Sequence, residues 1–163
     1  IEAALRATLS KFEHQTGMAT NLSMVGHGLP LAPDLQIQLL HMVQEALSNV
    51  RKHSGATRVE VRVQRHPRWR FEVQDNGKGF DVASVPPDSL HVGLGIMRER
   101  AQRAGAVLKI ESIRGQGTRV CIELPTVPAA APGTAAATAP ATSPAERGPL
   151  PAGAAMADAA HAP

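Results

Sequence analysis

Glu45 and Asn49 stand four residues apart in Gln44-Glu45-Ala46-Leu47-Ser48-Asn49-Val50-Arg51-Lys52-His53, a stretch with the period of a helix. That spacing puts both side chains on one helix side. A carboxylate and an amide so placed do one of two things. They face water on a solvated surface, or they form a shelf of oxygen donors for a hard cation and its phosphates, because Mg2+ takes oxygen ligands and shares phosphate groups. On the second reading the Asn49 amide oxygen is a metal ligand, and Glu45 orients a metal-bound water or acts as a general base. Lys52 and His53 follow on the same helix, within reach of phosphate oxygens. Read alone, Lys52 is a surface lysine and His53 a cation at the helix C-terminus.

Asp75 ends an apolar strand and opens Asp75-Asn76-Gly77-Lys78-Gly79-Phe80. Asp-Asn-Gly is ordinary turn chemistry. It also suits base recognition, since a carboxylate inside an apolar pocket accepts a hydrogen bond from the exocyclic amine of adenine. Gly77 and Gly79 then let backbone approach the base and begin a mobile segment. The irregular stretch that follows has the length of a functional lid. His91-Val92-Gly93-Leu94-Gly95-Ile96 comes next. Gly93, Leu94 and Gly95 open a helix, where free backbone amides bind phosphate. It is not the dinucleotide-binding pattern: no strand runs into it and the later glycine is missing. Arg98 and Arg100 neutralise phosphate or pair with Glu99, and the surface pairing is favoured for both.

The elements that position these residues are readable from pattern. Leu5, Leu9 and Phe12 give a helix over residues 1–14, stopped at Gly17. A strand is expected over Thr20–Val25, closed by Gly26-His27-Gly28-Leu29-Pro30. A long helix starts at Pro33-Asp34 and ends near His53-Ser54-Gly55, where glycine caps it in the left-handed conformation. Val59, Val61 and Val63 alternate in one strand; Trp69, Phe71 and Val73 alternate in the next; His66-Pro67-Arg68 joins them as an antiparallel hairpin. A second helix spans Gly95–Ala104. A second hairpin pairs Val107–Ile113 with Thr118–Leu124 around Gly115-Gln116-Gly117, whose glycines are read as turn residues only. Grouped strands with two long helices predict an α+β fold, a two-layer sandwich with one helical layer on a mixed, mostly antiparallel sheet.

The chain has 163 residues and a net charge of +3, with Arg and Lys scattered rather than run together. Nucleic acid is therefore not the expected partner. The single Cys121 is read as a small core residue, and it supplies no disulfide framework. No apolar run is long enough to cross a bilayer, so no membrane contact is expected of these residues. Residues 126–163 are mostly Ala and Pro with almost no large apolar side chain, and a disordered tail is expected there. The chain begins in mid-pattern at Ile1 without Met and is expected to be part of a longer protein.

The three motifs, in this order, resemble the N, G1 and G2 boxes of the ATP-binding domain shared by histidine kinases, gyrase, Hsp90 and MutL. Their wording is similar to the sensor histidine kinases, in particular the subgroup containing the nitrate/nitrite sensor NarX and the DesK-like kinases. Phe12-Glu13-His14-Gln15-Thr16-Gly17 also resembles the kinase segment between dimerisation helix and catalytic domain. The resemblance implies the Bergerat ATP-binding fold. It implies residues 1–15 as the end of a dimerisation helix and linker, 16–125 as the catalytic domain, and 126–163 as the tail. It implies ATP and Mg2+ as cofactors. Asn49 would hold the metal and Glu45 support it, with Lys52 and His53 near the phosphates. Asp75 would read adenine, Gly77 and Gly79 hinge the lid, and Gly93, Leu94 and Gly95 lie against the phosphates. The implied reaction passes the γ-phosphoryl of ATP to a histidine on a dimerisation domain, then to a response regulator. The implied parent is a homodimer through helices absent from this sequence, with this domain cytoplasmic and the parent anchored in a bacterial inner membrane. His14 lacks the context of a phosphoacceptor, so these residues alone are not expected to autophosphorylate. A gyrase- or MutL-like ATPase and a non-catalytic nucleotide-dependent interaction module are the competing readings.

Overall fold

The computed structural model describes residues 1–26, 30–65, 67–84 and 92–125. The elements run α1 (Glu2–Thr16), β1 (Ala19–Val25), α2 (Pro33–Asn49), a π-helical turn (Val50–Ser54), β2 (Arg58–Gln64), β3 (Arg70–Asp75), α3 (Val92–Arg103), β4 (Val107–Ile113) and β5 (Gly117–Glu123). The strands form one sheet in the order β1-β2-β3-β5-β4. β1 lies parallel to β2 and every other pair is antiparallel. This is the predicted α+β fold with a mixed sheet.

Period-two alternation decides which face is covered. Val59, Val61 and Val63 of β2, Phe71 and Val73 of β3, and Val120 and Ile122 of β5 are buried in one apolar cluster with the helices. Leu22, Val61 and Val73 meet across neighbouring strands, which keeps the apolar rows in register. α1 contributes Leu5, Leu9 and Phe12; α2 contributes Leu39, Met42, Val43, Ala46 and Leu47; α3 contributes Leu94, Met97 and Ala101. The other face carries alternating charges tied into ion pairs, among them Arg62–Glu60, Arg70–Glu72, Arg119–Glu72 and Arg119–Glu111. Such a half-covered sheet is characteristic of antiparallel pairing.

Local signals hold in detail at two helix ends. Gly17 closes α1 at φ 73° and Gly55 follows the π-helical turn at φ 61°, both left-handed. Three expectations need correction. Cys121 is not on the core side: it pairs in register with Glu72 and Lys109 on the charged face. It is 5% exposed because long charged side chains cover it, and Arg70 Nε donates to its Sγ at 3.2 Å. Burial pushes its thiol up. Second, α3 starts at Val92 rather than Gly95, so Gly93 lies inside its first turn rather than ahead of it. Third, β3 starts at Arg70. Trp69 precedes it and stacks on Phe71 with ring centroids 5.8 Å apart. The expected loop at His27-Gly28-Leu29, the turn residue His66, the Pro86-Pro87 part of the lid and the Ala/Pro-rich tail fall outside the described residues.

Candidate functional site

α2 brings Asn49 to a cavity between the helical layer and the sheet, while Glu45, one turn earlier, lies against Gly93 of α3 and outside the cavity lining. The helix ends in the π-helical turn Val50–Ser54, a distortion concentrated at functional sites. That turn carries Arg51, Lys52 and His53 on its exposed side and tucks Ser54 inward. His53 lines the cavity; Lys52 does not.

The cavity measures about 160 Å³. An apolar cavity of about 150 Å³ takes up a single aromatic ring, so this space suits a base rather than a whole nucleotide. Its apolar walls are Ala46, Val50, Val73, Leu94 and Val120. Asp75 is the buried charge in it, at 4% exposed. Gly77 N donates to Asp75 Oδ1 at 2.8 Å. Burial pushes the Asp75 carboxyl above its ordinary value, while the Gly77 and Thr118 amides pull it down.

Asn76 anchors this turn. Its Oδ1 accepts from Thr57 N at 3.0 Å and Arg58 N at 2.9 Å, and its Nδ2 donates to Thr57 Oγ1 at 3.0 Å. Gly77 is required by contact, not by φ: an added β-carbon would lie 2.7 Å from Ser54 Cβ and 2.8 Å from Asp75 Oδ1. Gly79 has φ 58° and lies against the Ile113 carbonyl.

α3 closes the far side. Gly93 packs onto α2 so tightly that a β-carbon would strike Glu45 Oε1 and stand 3.0 Å from Asn49 Oδ1. Asn49 Nδ2 is buried without a hydrogen-bond partner among the described residues. Buried amide groups are normally satisfied, so an orphaned donor at a cavity rim needs an explanation. Leu94 turns into the cavity, whereas Gly95 is exposed with open space beside it. Arg98 is exposed on α3. Arg100 reaches α2 and donates to Gln38 Oε1 at 3.1 Å; Glu99 pairs with Arg103 at 2.6 Å instead of either expected arginine. The i,i+4 spacing of Glu99 and Arg103 wins over adjacency, as helix geometry requires.

Ser54 lines the cavity without any signal in the sequence that marked it, and three further participants lay outside the expected site. Lys78 lines the cavity and brings a cation to it. Thr118 lines it from β5. Gly117 is more than a turn residue: at φ 91°, its missing β-carbon leaves room for the Asp75 carbonyl. The signal for Gly117 was present as a glycine beside the strand that pairs with Asp75's strand, but strand order had to be known to use it.

Among the described residues no group of three His, Cys, Asp or Glu side chains is placed to hold a metal. No described helix is long and apolar enough to cross a membrane.

Comparison with known proteins gives concordant results. The family model described as "Histidine kinase-, DNA gyrase B-, and HSP90-like ATPase" matches residues 34–128. The sensor histidine kinase LiaS of Bacillus subtilis is 38% identical over 60% of this chain and 27% of its own length. The nitrate/nitrite sensor protein NarQ of Escherichia coli is 35% identical over 75% of this chain and 22% of its own length. The chain thus spans about a quarter of the length of the curated relatives it matches. Among solved structures, the histidine kinase domain of the Erythrobacter litoralis EL346 blue-light activated kinase superposes with a TM-score of 0.62 at 24% identity, covering 76% of this chain and 59% of that one.

Proposed function

This chain belongs to the family of histidine kinase-, DNA gyrase B- and HSP90-like ATPases, and from that premise we propose that it is the ATP-binding catalytic domain of a two-component sensor histidine kinase. The observation that carries the reading is the pairing of a buried carboxylate, Asp75, inside a base-sized apolar cavity with an orphaned amide, Asn49, at its rim. The first selects adenine by accepting from its exocyclic amine. The second awaits a charged, oxygen-rich partner just where phosphates would leave the cavity.

The donor set fits Mg2+. Asn49 and Glu45 offer oxygens and no soft ligands, and Mg2+ typically takes one or two protein oxygens plus substrate phosphates. Asn49 would hold the ion and Glu45 support it; when bound, the ion would neutralise charge developing on the phosphates. The chain's own residues then position the nucleotide. The amides of Gly93, Leu94 and Gly95, in the first turn of α3, face the phosphates with the positive end of the helix dipole. Gly93 has no side chain to separate that turn from Glu45. Lys52 and His53 would lie near the phosphates, and Gly77 and Gly79 would hinge the segment that follows Asp75. Phosphoryl transfer needs little covalent chemistry from the protein, so positioning and charge neutralisation are its main contributions.

On this reading the parent protein passes the γ-phosphoryl to a histidine on its own dimerisation domain, then to a response regulator, with this domain on the cytoplasmic side of a membrane-anchored homodimer. The subgroup with NarX and the DesK-like kinases is part of the proposal and rests on the wording of the three motifs. Nitrate and nitrite are accordingly the first signals to supply. The test is incubation of the full-length protein with ATP labelled at the γ-phosphoryl. Acid-labile, base-stable label on the protein supports the kinase. Steady release of inorganic phosphate with unlabelled protein would instead identify an ATPase in which Glu45 activates water.

A further inference from the structure

Ser54 joins the two halves of the site. It is 7% exposed, and its Oγ donates to the Val50 carbonyl at 2.6 Å while accepting from Ala56 N at 3.0 Å. Its own carbonyl accepts from Lys78 N at 2.8 Å. Gly77 presses against it: a β-carbon there would collide with the Ser54 carbonyl and stand 2.7 Å from Ser54 Cβ. Gly77 N then donates to Asp75 Oδ1 at 2.8 Å. An unbroken path of contacts therefore runs from the end of α2, one residue past Asn49, to the carboxylate in the cavity.

A serine hydroxyl has one proton, and this one is committed to Val50. Ser54 borders the cavity, yet it has no donor left to offer a base. Its contribution must come through what it holds. We propose that Ser54 is a positioning residue: its hydroxyl, tied to Val50 and Ala56, holds its own carbonyl and β-carbon against the Gly77–Lys78 backbone and so, through the Gly77 amide, sets the orientation in which Asp75 selects adenine. The proposal rests on the adenine reading of Asp75 above.

The two roles open to Ser54 separate cleanly. A purely structural serine at the end of a π-helical turn would affect folding and leave nucleotide choice alone. A positioning serine alters choice, and only while Asp75 is there to be positioned. Ser54→Ala removes the hydroxyl; Ser54→Cys keeps the shape and a weak donor and guards against a simple packing defect. Each is combined with Asp75→Asn.

Two readouts apply to the folded domain. Without nucleotide, amide hydrogen exchange at Gly77 and Lys78 should accelerate in Ser54→Ala by about three- to tenfold, the worth of one net hydrogen bond. The Ser54→Cys variant should fall between. With nucleotide, the ratio of ATP to GTP affinity should drop by a similar factor in Ser54→Ala, with no further drop when Asp75 is already Asn. Unchanged exchange at Gly77 overturns the proposal. So does an equal loss of ATP and GTP affinity with the ratio preserved, or losses that simply add in the double variant. If the unaltered protein favours ATP and Ser54→Ala favours it equally, only the Ser54 proposal falls. If the unaltered protein binds neither nucleotide, the adenine reading falls and takes this proposal with it.

Discussion

The backbone of Gly93, in the first turn of α3, lies flush against the carboxylate of Glu45 in the middle of α2, with Asn49 Oδ1 3.0 Å from where a β-carbon would stand. Gly95, two residues on, has open space beside it. Two neighbouring glycines thus carry opposite expectations. Gly93→Ala forces α3 away from α2, costing about 1–3 kcal/mol as an overpacking substitution and lowering ATP affinity. Gly95→Ala keeps its amide and should raise stability by about 0.5–1 kcal/mol, as expected for alanine replacing glycine in a helix. Thermal melts and calorimetric ATP titration of both variants check this. Equal effects at the two positions would contradict the packing described.

Asn49→Ala separates stability from function. The buried Nδ2 has no partner among the described residues, and an unsatisfied buried polar group costs about 1–3 kcal/mol. Removing it should leave the melting temperature unchanged or higher while abolishing Mg2+-dependent ATP binding. A variant that binds ATP as before removes Asn49 from the metal role.

Asp75 links pH to both stability and binding. Burial raises its carboxyl above the ordinary value, against the opposing pull of the Gly77 and Thr118 amides. The folded state therefore holds this proton more tightly than the unfolded chain does. Its contribution to stability is full below the unfolded value of about 3.9 and is lost as pH rises through the higher folded value. The charged form, the one that would accept from adenine on the proposed reading, is thus the less stable one. Asp75→Asn should be more stable than the unaltered protein at pH 7, with the gain vanishing in acid. It should also lose about 1–3 kcal/mol of ATP-over-GTP selectivity. Denaturant melts at pH 3 and pH 7, with titrations of both nucleotides, decide it; a gain in stability that is the same at both pH values would contradict the assignment.

Gly115 and Gly117 look equivalent in sequence and are not. Both have positive φ, 81° and 91°, but only Gly117 has backbone of Asp75 where a β-carbon would go; Gly115 meets nothing within 4 Å. Gly115→Ala bears the left-handed strain alone, about 1–3 kcal/mol. Gly117→Ala should be clearly worse and should also damage ATP binding, because relief requires moving Asp75. Comparing the two melting temperatures and affinities tests whether β5 shapes the site.

Much of this fold follows from local pattern. The alternating valines of β2 and the left-handed caps at Gly17 and Gly55 are decided within a few residues of themselves, and period alone finds them. Cys121 shows where such reading stops. Apolar character suggested the core, but strict alternation with Val120 and Ile122 sends it to the charged face, where arginine and glutamate stems cover it. The site divides the same way. Glu45, Asn49 and Asp75 stand out by residue type and spacing alone. Ser54, Lys78 and Gly117 depend on which strands and turns meet, information held in the order β1-β2-β3-β5-β4 rather than in any short motif. Sequence neighbourhood offers Arg100 as a phosphate or Glu99 partner, yet it spans from α3 to Gln38 on α2, a contact set by helix packing.

The most direct test of the central claim is calorimetric titration of the domain with ATP and with GTP, each with and without Mg2+. If Asp75 reads the base and Asn49 meets the metal-bound phosphates, ATP binds in preference to GTP and its binding strengthens when Mg2+ is present. Equal affinity for the two nucleotides, or ATP binding indifferent to Mg2+, would contradict it.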